Sequence, residues 1–216
     1  MIEKNLYIGR YFFMKRWFKW ELALLLGLCA ALLCGVWSVE QQEDLSRKMI
    51  RLHVIAHSDS AEDQALKLEV RDAVLDYATA VLQRSADMTE AQEALQKSLP
   101  RIESIARAAV TAEGYDYGVS ASLGQAEFPL KEYDGFSLPA GEYTALRLVI
   151  GDGEGRNWWC VVFPPLCTTA ACDLTETAIA AGMSEEDVSF ITESEGYILK
   201  FRAVELWQQL RQKLGK

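Results

Sequence analysis

The sequence predicts an α+β fold: an N-terminal strand and two helices packed on an antiparallel sheet or meander, closed by a C-terminal helix. Three observations carry this. A run rich in β-branched and apolar residues, MIRLHVIAH at 49–57, leads into a long stretch with apolar residues every three or four positions. From Tyr115 the apolar spacing drops to two, and further on two β-rich runs flank the glycine-rich connection GDGEGR. Helices followed by a series of strands are the pattern of a two-layer α+β domain.

The first strand ends at the turn-forming Ser58-Asp59-Ser60. Ser60 is placed as the N-cap of a helix over 61–83, with Glu62 and Asp63 in its first turn, where carboxylates meet the positive end of the helix dipole. Leu66, Val70, Ala73, Val74, Tyr77 and Val81 form one apolar stripe; Leu68, Leu75 and Leu82 form another, so two sides should be covered. A second helix is expected to open at Thr89, whose spacing to Gln92 suits a capping box, with Pro100 kinking or breaking it. Tyr115, Tyr117, Val119, Ala121 and Leu123 alternate as a strand with one wet face. Residues 143–150 and 157–163 read as a hairpin around GDGEGR, stopped by Pro164-Pro165. A closing amphipathic helix is expected over 201–213, through Val204, Leu206, Trp207, Leu210 and Leu214.

The formal charge is −9, and it is uneven: residues 1–38 carry +3, leaving −12 to residues 39–216. So acidic a surface repels phosphate backbones, and no basic patch interleaved with aromatics is present, so nucleic acid is not an expected partner. The basic leader runs into the uncharged stretch of 16 residues from Leu22 to Trp37. This predicts a signal peptide cut after Ser38, or a membrane anchor formed by residues 20–38. As a helix the stretch would reach only about 24 Å. In either case, residues 39–216 are expected outside the cytoplasm. There a Cys160–Cys167 disulfide is expected, with Pro164-Pro165 turning the chain between them; the alternative is a buried thiol at Cys160.

The two histidines stand at the first strand and its turn. His53 and His57 would point to one face about 13 Å apart on an extended strand, too far to share a metal, and no third ligand stands at a suggestive spacing. Ser58 and Asp59 adjoin His57, but a catalytic triad is assembled from residues distant in sequence, and no nucleophile elbow surrounds Ser58. No catalytic residue, metal or cofactor is therefore assigned. His53, His57, Ser58 and Asp59 remain as structural or partner-binding groups. Gln64, Lys67 and Arg71 beside the Leu68/Leu75 stripe are either a solvated edge or a docking strip. Arg71 should either pair with a carboxylate inside the fold or face a partner. Of Trp158 and Trp159, adjacent on a strand, one should face the core and the other outward, where it is either a binding hot spot or lies beneath the C-terminal helix.

Three blocks, RLHVIAHSDSAEDQALKLEVRDAVL, LPAGEYTALRLVIGDGEGRNWWCVVFPPLC and YILKFRAVELWQQL, together resemble the stage II sporulation protein R family. Cys160 and Cys167 match the second block, whereas that family generally has asparagine in the turn where His57 stands here. The resemblance implies that residues 39–216 are a signalling domain and not an enzyme. It would be made in the forespore and exported into the space between the two septal membranes. There it would be required to activate a membrane-bound aspartic protease, stage II sporulation protein GA, which processes pro-sigma-E in the mother cell. An exported hydrolase or metal-dependent enzyme with a dispersed site is the competing class.

Overall fold

The computed structural model describes residues 20–29, 40–133, 135–166 and 174–192. The chain divides into two compact units, Met1–Gln41 and Gln42–Lys216. In the first unit residues 20–29 are helical, with Trp20, Leu22, Leu24, Leu25, Leu26 and Leu28 exposed. Among the described residues no helix is long and apolar enough to cross a membrane.

The second unit opens with helical residues 42–47 (α1), followed by β1 (Ile50–Ile55). Then come the helices α2 (Ala61–Leu82) and α3 (Met88–Ala112). Four strands follow before the last sheet strand: β2 (Val119–Phe128), β3 (Lys131–Tyr133), β4 (Phe136–Leu138) and β5 (Gly141–Ile150). The described part closes with β6 (Asn157–Phe163), α4 (Leu174–Ala180) and α5 (Glu185–Thr192). The expected C-terminal helix over 201–213 lies outside the described residues.

The α+β class is correct, but the sheet is mixed and not an antiparallel meander. Its order is β2-β5-β1-β6, with β3 and β4 forming a separate pair. β1 runs parallel to β5 and antiparallel to β6. The expected hairpin of 143–150 with 157–163 is therefore overturned: β1 lies between the two runs, and GDGEGR passes over its end. The burial of β1 gives the reason. Ile50, Leu52 and Val54 face one core and Arg51 and Ile55 the other side, all buried, which suits a central strand.

Above one face, α2 and α3 close a core through Leu66, Val70, Val74, Leu95, Ile102 and Val110, packed on Leu52, Val54, Leu146, Leu148 and Val162. Against the other face, α1, β4, α4 and α5 bring Leu45, Leu138, Ala178 and Ile191 onto Tyr143, Ala145 and Val161. Lys48 joins these parts by reaching Asp187 at 2.7 Å.

Local corrections have local causes. Ser60 caps α2 as expected, its hydroxyl accepting from the Asp63 amide at 3.1 Å. The cap of α3 is Asp87 and not Thr89: one carboxylate oxygen accepts from the Thr89 and Glu90 amides, and a carboxylate suits the positive helix end. Pro100 neither breaks nor ends α3, because it lies on the exposed side, where water can take the carbonyl its ring leaves unpaired. The alternating strand starts at Val119 and continues to Phe128, beyond the expected Leu123.

Candidate functional site

The turn His57-Ser58-Asp59-Ser60 lies at the end of β1, where the loop 151–156 crosses it. Main-chain bonds lock the two together: Gly155 N–H donates to Ala56 O at 3.0 Å and Glu154 N–H to His57 O at 3.1 Å. Side chains of the turn extend the seam. Asp59 accepts from the Arg156 amide at 2.7 Å, and His57 Nδ1 accepts from the Asp152 amide at 3.0 Å. With Nδ1 accepting, the neutral ring carries its proton on Nε2. The imidazole also stacks on Tyr117, 4.3 Å between centroids, which places it under the loop as a packed latch.

This close approach dictates the glycines. A Cβ at Gly155 would lie 2.2 Å from Ser58 O, and one at Gly151 2.4 Å from His57 Nδ1. Gly151 and Gly153 also hold φ of 57° and 68°, in the left-handed region that glycine tolerates.

The polar side chains beneath the seam satisfy one another. Ser58 Oγ donates to Asp63 Oδ2 at 2.5 Å and accepts from the Ser60 amide at 3.1 Å. The Ser58 hydrogen bond is the chief reason that Asp63 titrates below the ordinary carboxylate range; Ser60, His57 and Tyr117 act in the same direction against burial. Gln64 donates to Ser58 O at 2.8 Å. Lys67 is almost fully buried and donates to Gln64 Oε1 at 2.7 Å and Arg156 O at 2.9 Å. Burial, followed by the charge of Arg156, lowers its pKa. Ser58 is hydrogen-bonded to a carboxylate instead of an imidazole, so neighbouring His57, Ser58 and Asp59 do not form a relay. They tie a strand, a loop and a helix start together.

Arg71 and Trp158 form a different kind of pair. The Arg71 guanidinium lies 4.3 Å above the Trp158 ring, and its Nε and Nη2 donate to Asp72 at 2.7 and 2.9 Å. Asp72 is exposed, so the carboxylate partner expected for Arg71 lies at the surface and not inside the fold. Trp158 is 37% exposed, one of two large apolar side chains exposed among the described residues of the second unit.

Trp159 points to the opposite sheet face, as alternation requires. There it stacks with His53 at 5.9 Å, while Lys131 Nζ lies 4.7 Å above its ring. His53 Nε2 meets Asn157 Oδ1 at 2.9 Å, and burial lowers its pKa. His53 and His57 thus have separate neighbours, and the structure does not bring them into one site. Sequence reasoning missed Arg51, which is fully buried over Phe128 at 4.1 Å and donates to Tyr133 Oη at 2.7 Å. It also missed Tyr117 and Asp63, whose roles depend on strand placement. Cys160 is buried, whereas Cys167 lies outside the described residues.

Comparison with known proteins gives two findings. A family profile described as Stage II sporulation protein R matches residues 46–173. A Bacillus subtilis (strain 168) protein named Stage II sporulation protein R is 42% identical over 118 residues, covering 55% of this chain and 53% of that relative. The aligned part thus spans about half the length of that curated relative. No solved structure matches the chain. The matched range contains the whole seam, from the turn at His57 to the loop at Arg156.

Proposed function

The chain belongs to the stage II sporulation protein R family, and from that premise we propose that it is an exported sporulation signal acting as a protein ligand. Made in the forespore, it crosses the forespore membrane by its apolar leader, which is cleaved or retained as an anchor. In the intermembrane space residues 39–216 activate the membrane-bound aspartic protease, stage II sporulation protein GA, that processes pro-sigma-E in the mother cell. The row of exposed leucines in residues 20–29 supports the membrane step, because so apolar a surface is unfavourable in water. The proposal includes the Cys160–Cys167 bridge on the oxidising side.

One observation carries the ligand reading: Trp158 is exposed at the sheet margin with Arg71 stacked on it. Tryptophan and arginine are enriched at binding hot spots, tryptophan for the large area it buries and arginine for its planar guanidinium, which stacks on aromatics and donates in a fixed fork. The polar groups of the turn, by contrast, are occupied in holding it together.

The test combines cleavage with stability. Cells carrying the protease and pro-sigma-E receive the wild type, Arg71→Ala or Trp158→Ala, and pro-sequence removal is followed by immunoblot. Either variant should weaken activation by about 2 kcal/mol of binding or more. Arg71→Ala should keep its melting behaviour to within about 1 kcal/mol, because its acid partner is exposed and no buried charge is stranded. Undiminished cleavage by the double variant would defeat this assignment of the contact.

A further inference from the structure

Among the described residues β2 has a sheet neighbour on one side alone: it pairs with β5 through an unbroken register from Val119↔Ile150 to Phe128↔Gly141. The amide of Gly151 donating to Gly118 O sets the phase of this ladder. Backbone groups of an antiparallel pair alternate between facing inward and outward, so those of Val119, Ala121, Leu123, Gln125 and Glu127 point to the outer edge. Among the described residues, no backbone bond links that edge to another segment.

Natural proteins guard such an edge with lysine, proline or a bulge. The segment VSASLGQAEF has none of these, and Glu127 is its single charge. We propose that β2 is a self-association edge: it pairs antiparallel with β2 of a second copy of this chain, about a two-fold axis through Leu123, joining two four-stranded sheets into one.

Geometry selects this partner. A two-fold axis normal to the sheet keeps the helix-covered faces on the same side, so outward-pointing residues must oppose outward-pointing residues. Centred on Leu123, the pairing sets Leu123 against its own copy, Ala121 against Gln125, and Val119 against Glu127. Glu127 never meets its counterpart, and Ser120, Ser122 and Gly124 are too small to obstruct the other face. Leu123, half-buried against the helical core, becomes covered. Electrostatics agree: two chains of net charge −9 repel over most of their surface, and this edge is nearly neutral.

Sedimentation velocity of the full chain in density-matched detergent tests the proposal. Wild type should show a concentration-dependent dimer. Leu123→Lys and Leu123→Glu each place like charges at the axis and should weaken it roughly tenfold or more, while their equimolar mixture should restore it as a heterodimer. Ala121→Pro, whose lost N–H points outward, should also give a folded monomer by circular dichroism. A wild type that stays monomeric at its solubility limit, single variants that dimerise like wild type, or a mixture that stays monomeric would each overturn it.

Discussion

Gly155 passes so close to the turn carbonyl of Ser58 that even one methyl group must displace backbone. Gly155→Ala is therefore expected to lose about 1–3 kcal/mol in urea unfolding, as overpacked sites do. Gly118→Ala is the control, because a Cβ there meets nothing within 4 Å; its stability should stay within about 0.5 kcal/mol of wild type. The two glycines look alike in sequence and differ only in what folds against them. His57 follows the same logic. Its partner is the amide of Asp152, and a backbone amide leaves no signature in residue type, so sequence reasoning had a capped turn but no role for the imidazole. Arg71 was legible as an unusual cation on a half-apolar helix side. Its stacking on Trp158 was not, since that contact depends on where β6 lies.

At the scale of elements, the start of α2 was legible locally, whereas the cap of α3, expected at Thr89, and the break expected at Pro100 were misread. Ser60 and the acids behind it announce the start of α2 within four residues. The β5/β6 pairing was misread because a short glycine-rich connection serves equally well to join neighbours or to bridge one intervening strand. A parallel pair such as β1 and β5 contributes no turn of its own to betray it. One face of IRLHVI, Ile50, Leu52 and Val54, is wholly apolar, but the other carries Arg51 and His53, so nothing in residue type announced that the strand is buried on both sides. This placement has a measurable consequence. A chain beginning at Ser58 should fail to form the sheet, with its β5 and β6 amides unprotected in hydrogen exchange. Adding a synthetic peptide of residues 49–57 should restore protection; protection without the peptide would contradict the central position of β1.

For the whole molecule, acid should weaken the fold in two stages. Burial depresses the pKa of His53 below its ordinary 6.5, so the unfolded chain takes up the proton first and stability falls as pH drops below about that value. Asp63, held low by Ser58, and Asp187, held low against burial by Lys48 and Ser184, have folded pKa values below the ordinary 3.8. Their contribution is complete above that value and is lost as pH falls through the depressed folded pKa values. Urea midpoints between pH 3 and 7 should show both limbs: His53→Gln flattens the upper one and Ser58→Ala reduces the lower. The same architecture governs the order of assembly during synthesis. The ribosome releases β1 long before β5 and β6, so the strand that completes the sheet from the inside emerges first and waits without neighbours. A partly made chain therefore cannot close prematurely. On the proposed route through a translocation channel, the sheet could not close around β1 until β5 and β6 had followed it through, so the signal would become competent only after the larger part of the chain had crossed.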